Sequence, residues 1–544
     1  MSWLDHNILT VITFLPAIGA AILMAFPRSE KGDRAVKWFA LAVSIAAFVA
    51  SLHLPFYFNS ANAGFQFDIN KVWMASPNIH YHLAVDGISL WLVVLTTFLV
   101  PFSIIIQWSS VHGRLKEFFI LMLLLETAML GVFVALDLFL FYVFWEATLI
   151  PMALIIGMYG HERRIYAAVK FFLYTMIASV FMLAAIIWLY VNTGSFEFTA
   201  IREALASGHL ALTPTTSLLL FLGFFVAFAV KVPLFPLHTW LPDAHVEAPT
   251  GGSVLLAGVL LKMGTYGLLR FNVGLFPDEA RAQSGWIVAL AIIGIIYGAL
   301  VAMVQPNLKK LIAYSSVSHL GFIVLGIFTF TQAGTDGAIY QMLNHGVSTG
   351  ALFMLAGIIY DRRHTYEISE FGGLATPMPA YAFIFLLVTL SSIGLPLMNG
   401  FVGEFLVLSG AFLQVPLWGI LGATGVIWSA CYMLWMYQRV FYGTVKNAVN
   451  NTLGDLDMRE RGALWPLAVL ALIMGVASPL WIKPMDAAVD AILSGPPAQT
   501  SDRQLSTRAE GSHPSTLSSR AQARSAGAEE SRSSNNLRAG ASGE

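Results

Sequence analysis

Cysteine and charge are what this chain has least of. One cysteine, Cys431, occurs in 544 residues. It lies in an apolar run, so no disulfide framework, iron–sulfur cluster or cysteine-based zinc site can be assembled from this chain alone. Any redox chemistry linked to it must be done elsewhere, and no cofactor is expected here. Charged residues are only 11% of the sequence and sum to a formal net charge of −1, which argues against a nucleic-acid partner. The N-terminus lacks the short apolar core and small-residue cleavage site of a secretory signal, and Met1 is expected to start the mature protein. What is abundant is apolar surface. Hydrophobic residues make up 57% and the mean hydropathy is +0.71, far from the balance of a water-soluble domain.

A helix crosses the hydrocarbon core with about 20 apolar residues. That length predicts fourteen spans, near 8–26, 36–58, 84–106, 117–136, 138–158, 168–191, 215–235, 252–272, 286–304, 309–330, 338–360, 380–410, 413–441 and 462–482. An even count puts both termini on one side. Lysine and arginine near helix ends resist translocation. The odd-numbered connections hold seventeen of them, from Arg28 to Arg461, whereas the even-numbered ones hold four, Lys71, Arg202, Arg270 and Arg281. The odd connections are therefore expected on the cytoplasmic side of a bacterial inner membrane, with both termini outside; an organelle inner membrane is the second choice. From about residue 495 the composition turns to Ser, Ala, Arg, Gly and Glu. Such a stretch cannot bury enough surface to offset its ordering entropy, so a disordered polar tail without assigned function is expected over 495–544.

Helices 7 and 12 are interrupted at matching places. Helix 7 carries Lys231-Val-Pro233 and then Pro236, and helix 12 carries Ile393-Gly-Leu-Pro396 followed by Asn399-Gly. Five helices separate the two breaks, and five is odd, so a unit of helices 4–8 duplicated as 9–13 enters the membrane upside down, as in many secondary transporters. Pro233 deprives the carbonyl of Ala229 of its helical donor, and Pro396 does the same to Ser392. A plainer reading makes each proline a kink in a packed helix; the recurrence, with an ionisable residue near each break, favours transport. The expected fold is an all-α polytopic membrane protein: an N-terminal three-helix segment (1–115), a first five-helix repeat (116–272), a second, inverted one (285–442), and a loop with the last helix (443–484).

An unpaired charge at the bilayer centre costs at least about 2.5–3.5 kcal/mol, so each deep ionisable group needs a reason. Glu146, Lys231 and Lys262 lie mid-span, Glu404 follows the break in helix 12, and Glu126 in helix 4 is the weakest of the set. Desolvation lowers the pKa of a lysine and raises that of a glutamate, while an opposite charge nearby does the reverse. A buried lysine near a glutamate is thus poised to switch. Glu146 is assigned as the acid that pairs with Lys231, Lys262 as the central relay and Glu404 as the terminal group on the exit side. His238, His319 and His345 extend the set, because imidazole titrates near neutrality and can pass a proton between its two nitrogens. A lone membrane histidine is more often a helix-to-helix hydrogen bond than a relay; the company of two lysines favours the relay. No two of these histidines share an i, i+4 face and acids are not clustered around them, so no metal site is expected. Blander roles suit the rest. His161, Glu162, Arg163 and Arg164 read as a topological anchor, Asp137 and Asp86 as helix caps, and Asp243, His245 and Glu247 as solvated loop charges, with proton gathering at the cytoplasmic mouth as the minority reading.

The run KVPLFPLHTWLPDAHVEAPTGGSVLLAGVLLKMGTYGLLR, residues 231–270, closely resembles the signature of the antiporter-like membrane subunits of respiratory complex I and of their relatives in multisubunit Na⁺/H⁺ antiporters. FYVFWEATLIPM, LKKLIAYSSVSHLGF, MLNHGVSTGALFML and GLPLMNGFVGEF fit the same family in order, so the resemblance covers roughly residues 1–485. Within the family the chain resembles the M-type branch, corresponding to the fourth mitochondrially encoded subunit: Glu404 stands where the L and N types typically have lysine, and no long lateral helix follows helix 14. The polar tail departs from the pattern. The resemblance implies that Glu146, Lys231, Lys262 and Glu404 are the key proton-path residues, accompanied by His238, His319 and His345, that L-type and N-type subunits are neighbours in the membrane, and that quinone reduction in partner subunits drives proton movement outward. An autonomous Na⁺/H⁺ antiporter subunit and a structural spacer of the membrane arm are the alternatives.

Overall fold

The computed structural model describes residues 3–111 and 113–495; the expected tail lies outside the described residues apart from Gly495. Apolar runs form helices because a backbone in hydrocarbon must satisfy its own hydrogen bonds. The first segment holds α1 (Trp3–Met24), α2 (Glu30–Ser51), α3 (His53–Tyr57), strands β1 (Gln66–Met74) and β2 (Ile79–Val85), and α4 (Leu90–Ile106). Next come α5 (Leu115–Val134), α6 (Leu138–Ala147), α7 (Leu149–Tyr159), α8 (Arg164–Thr193), α9 (Phe198–Ala206), α10 (Pro214–Lys231) and α11 (Trp240–Glu247). The following crossing alternates two winding modes: α12 (Thr250–Leu255), a π-helix (Leu256–Leu260), α13 (Leu261–Gly267) and a second π-helix (Leu268–Val273). The rest comprises α14 (Pro277–Met303), α15 (Leu308–Ile327), α16 (Gln332–Arg363), α17 (Pro379–Ser392), α18 (Asn399–Gln414), α19 (Pro416–Phe441), α20 (Met458–Val476) and α21 (Pro479–Leu493).

Among the described residues eleven helices are long and apolar enough to cross a membrane, or twelve with the bent pair α20 and α21 taken as one span; α4 and α17 are apolar but shorter. All fourteen expected segments contain helix, yet several differ in form. The third was expected from residue 84, but Ala84 and Val85 close the antiparallel hairpin β1–β2, which an all-helical expectation missed. The last was expected as one helix over 462–482; the chain instead bends by 66° and continues to Leu493, with Pro479 opening the new helix at a position where its missing N–H costs nothing. Both expected breaks are present, between α10 and α11 and between α17 and α18. The carbonyl of Ala229 is not left without a donor, because the N–H of Leu234 reaches it at 2.9 Å.

Burial separates two kinds of crossing. The stretch Thr250–Val273 and α16 are wholly buried over their apolar windows and α15 is 89% buried, whereas α8 is 39% and α19 33% buried. The first three form the interior. They also carry Lys262, His319 and His345, which is where a bilayer tolerates ionisable side chains.

The interior crossing is pinned at one end by an ion pair. Arg270, expected in an outward loop, is 4% exposed within the second π-helix. Its guanidinium lies 2.6 Å from the Asp86 carboxylate and against the rings of Phe65, Phe198 and Tyr266. Asp86 also accepts the N–H groups of Ile88 and Ser89, both at 3.1 Å, and so fixes the turn before α4; the N-cap of that helix is Ser89, without a side-chain capping bond. Nearby, the hairpin is clasped by carboxylates. The side chain of Asp137 caps α6 by accepting from Phe139 and Leu140 and accepts the N–H of His80 at 3.0 Å. Glu197, just before α9, pairs closely with His82, whose other ring nitrogen lies 3.2 Å from Asp68.

Two outcomes follow from these contacts. Asp86→Ala leaves Arg270 buried without its partner, a loss of about 3–5 kcal/mol, so unfolding of the purified protein in detergent should shift by that amount. The double variant Asp86→Ala, Arg270→Met should lose less than Asp86→Ala alone, and a wild-type midpoint for Asp86→Ala would contradict the pinning. At His82, burial lowers the pKa, but the hydrogen bond and charge of Glu197, with Asp68, outweigh it and raise the group above its ordinary value. The stabilisation is then complete below about pH 6.5 and is lost as pH rises through the raised value. Hydrogen-exchange protection factors of the hairpin amides should fall across that window, and the step should be missing in His82→Gln.

Candidate functional site

The winding of the interior crossing places Lys262. In its first π-helix the N–H of Leu261 reaches back five residues to Leu256 instead of four, a local expansion often found at functional sites. The Lys262 ammonium then donates to the carbonyl of Ala257 and contacts Nδ1 of His345 on α16 at 2.6 Å. The ring centre of His345 is 5.8 Å from that of His319 on α15. Nδ1 of His319 lies 3.2 Å from Oε1 of Glu404 on α18, and its Nε2 lies 3.4 Å from the Ser392 hydroxyl at the end of α17. Lys262, His345, His319 and Glu404 are each at most 3% exposed. Four of the seven expected residues therefore form one buried line.

A shell of amides and hydroxyls supports it. Gln341 donates to Oε1 of Glu404 at 3.2 Å; Asn344 donates to Oε1 of Gln341 and to the carbonyl of Asn399 at 2.9 and 2.8 Å; Ser391 donates to Oδ1 of Asn399 at 2.5 Å. Sequence reasoning passed over these residues, although Gln341, Asn344, His345 and Ser348 recur at helical spacing within an apolar span and make a polar stripe. Gly394 sits in the break at φ +72, and a Cβ there would lie 2.8 Å from Oε2 of Glu404. The break thus needs a residue without a side chain for both its backbone and its neighbour.

The other expected residues are arranged differently. Lys231, the last residue of α10, is fully buried and directs its ammonium at the Thr148 hydroxyl, 3.4 Å away, over the rings of Trp145 and Phe171. Glu146 was expected to pair with it, but no ion pair joins them within 4 Å in this conformation, and Oε1 of Glu146 has no hydrogen-bond partner. The helices that carry Lys231 and Lys262 are nonetheless close-packed: a Cβ at Gly264 would lie 2.9 Å from the N of Val232 and 3.0 Å from the carbonyl of Phe228. His238 is 3% exposed and packs among Phe235, Tyr297 and Tyr314, outside the line. Glu126 is wholly buried and neither carboxylate oxygen has a hydrogen-bond partner. The expected loop of Asp243, His245 and Glu247 is the helix α11. Asp243 pairs with Lys170 at 2.7 Å, Glu247 accepts the N–H of Arg163 at 2.9 Å, and His245 is fully buried; none of the three is a simple solvated charge. Among the described residues no group of three or more His, Cys, Asp and Glu is placed to hold a metal ion.

Chemically, the line is a set of proton donors and acceptors held out of bulk water. An ammonium facing an imidazole nitrogen, and an imidazole facing a carboxylate, can each exchange a proton without any heavy-atom bond changing.

Similarity to known proteins agrees with this geometry. Residues 135–429 match the family described as NADH:quinone oxidoreductase/Mrp antiporter, TM. NADH-quinone oxidoreductase subunit M of Rhodobacter capsulatus is 49% identical over 481 residues, which cover 87% of this chain and 93% of that protein. NADH-ubiquinone oxidoreductase chain 4 of Arabidopsis thaliana is 42% identical over 482 residues, 88% and 96% of the two chains. A chain in the solved structure of respiratory complex I from Thermus thermophilus with bound NADH superposes with a TM-score of 0.80 at 32% identity, covering 89% of this chain and 99% of that one. On this identity, coverage and shared fold, the chain belongs to the NADH:quinone oxidoreductase/Mrp antiporter family of membrane subunits.

Proposed function

We propose that this chain is the M-type membrane subunit of an NADH:quinone oxidoreductase and that it moves protons across the membrane while partner subunits reduce quinone. The observation that carries the reading is the buried line Lys262, His345, His319, Glu404, its first three members set in the three interior crossings and Glu404 on α18 beside them, where each charge is costly unless it is used. Oxidoreduction belongs to the complex; the part of this chain is translocation, and no redox centre is assigned to it. Lys231 and Glu146 act as the switch. Moving the two apart favours the neutral amine and release of a proton; bringing them together favours the ammonium. Lys262 relays, His345 and His319 connect, and Glu404 discharges, with His238 as an accessory beside the first break.

Several further assignments belong to the same reading. L-type and N-type subunits are the proposed neighbours in the membrane arm. Segments 116–272 and 285–442 are proposed as inverted repeats, supported by the two breaks, one after Lys231 at the end of α10 and one before α18, which carries Glu404. Both termini are proposed on the outer side of a bacterial inner membrane. Thirteen of the seventeen inner cations and three of the four outer ones lie within helices; removing them leaves four, Arg28, Arg114, Arg163 and Lys446, against Lys71 alone, so the sign of the bias that supports the orientation persists.

The test is made on the assembled complex in sealed vesicles. Lys262→Ala, Lys231→Ala and Glu146→Ala should each assemble, as seen on native gels, and lower NADH-driven proton uptake by about 100-fold or more, the scale of a positioned proton-transfer group. Glu404→Gln, which keeps the shape of the side chain, should do the same. Unimpaired pumping in all four would leave the chain a spacer. Sodium-dependent proton exchange without NADH would instead support the antiporter reading.

A further inference from the structure

The line just described does not use the buried groups around α11. His245 is wholly buried, and neither ring nitrogen has a hydrogen-bond partner. Its ring stacks on Phe353 of α16, centroids 4.4 Å apart and 14° from parallel. A packing role alone would be better served by a second phenylalanine, because each unpaired buried polar group costs about 1–3 kcal/mol. A histidine in this stack therefore calls for a polar task.

Its surroundings suggest which one. Phe353 lies eight residues beyond His345 on α16, about 12 Å along the axis at 1.5 Å per residue, toward the arginine-rich end of that helix. Lys309, 1% exposed in the first turn of α15, donates to the carbonyls of Ala248 and Val246 at 2.5 and 3.4 Å, immediately after His245 in the chain. Lys309 and Lys262 are both near enough for their charges to act on His245. The Lys309 ammonium also sits 5.3 Å over the ring of Tyr366, which helps line a cavity of about 240 Å³ with His161, Thr250, Tyr360 and Asp361. In that cavity wall Nδ1 of His161 is 3.3 Å from the Tyr360 hydroxyl; burial, and then the charge of Lys309, push its pKa down to about 4, so it is an uncharged polar group at neutral pH. A polar recess, a buried amine and a buried imidazole thus lead from the end of α16 toward the centre.

We infer that Lys309 and His245 are the intake of the proton path, taking protons from the cavity beside His161 and delivering them to the Lys262–His345 pair. This rests on the proton-path reading above. A proton leaves the Lys309 ammonium as neutral amine and arrives on one nitrogen of His245, giving the imidazolium. Release from the opposite nitrogen toward His345 restores neutral imidazole in its other tautomer, and a ring flip resets it. No electron moves and no heavy-atom bond changes; water bridges the gaps between the groups.

The assembled complex in sealed vesicles tests this, with Lys262→Ala beside His245→Ala and Lys309→Met. His245→Ala should slow NADH-driven proton uptake by about tenfold or more, and millimolar imidazole should restore a substantial part of it. Pyrrole, of similar size but without a basic nitrogen, should not. Lys309→Met should be slow and insensitive to imidazole. Normal uptake in His245→Ala and Lys309→Met while Lys262→Ala is inactive would overturn the intake and leave the path standing; normal uptake in all three would overturn the path itself. Equal rescue by pyrrole and imidazole would reduce His245 to packing and overturn the inference. Should His245→Ala fail to assemble, His245→Gln, polar but unable to relay, takes its place, and normal uptake there has the same meaning.

Discussion

Lys262 lies where hydrocarbon and packed protein exclude water, and an ammonium there must find its partners inside the fold. The Ala257 carbonyl and His345 provide them, and much of the surrounding architecture follows from that requirement. The crossing that carries Lys262 is wound partly as π-helix, which sets the lysine relative to the Ala257 carbonyl. α15 and α16 must then be interior helices, since they hold the two histidines that continue the contact. The first break must approach closely, and Gly264 leaves room for it.

Two kinds of buried charge coexist in this framework, and their difference bears on function. Arg270 and Asp86 are locked: a guanidinium that keeps its proton, a 2.6 Å contact, two backbone donors on the carboxylate and an aromatic enclosure. Such a pair positions a helix and has little freedom to change. Lys231 has a hydroxyl and aromatic faces but no carboxylate within ion-pair distance, and Glu404 has one satisfied oxygen and one without a partner. These groups are held near alternative partners without being committed to one, which is the condition for protonation to vary as the helices move. A mechanism over such distances needs an element with two positions; the two broken helices are the natural places for it, because each break already frees backbone from the regular ladder.

The helical class, the interrupted helices and the deep charges were legible in the sequence because hydrocarbon imposes a coarse rule: long apolar runs become helices, and exceptions stand out. Lys262, His319, His345 and Glu404 were visible for that reason, as single polar letters in apolar text. The hairpin at 66–85 was not, since it lies outside the bilayer rule: its two strands pair with each other across a short turn, and a search for long apolar runs passes over such a pattern. Arg270 looked like a loop cation because its partner Asp86 is 184 residues distant. That Lys231 meets the Thr148 hydroxyl and no carboxylate within ion-pair distance was equally hidden, because spacing in a sequence does not state which side-chain contacts are made. The amide shell of Gln341 and Asn344 was within reach, had neutral polar residues been weighed at helical spacing as the charged ones were.

The central claim is that carboxyl, imidazole and amine groups inside this chain change protonation during turnover. The most direct measurement is infrared difference spectroscopy of the assembled complex, with glutamate carboxyls isotopically labelled, before and after addition of NADH and quinone. The account predicts a change in the protonated-carboxyl band that shifts with the label and disappears in Glu404→Gln. A spectrum in which no carboxyl band assignable to Glu404 changes during turnover would contradict it.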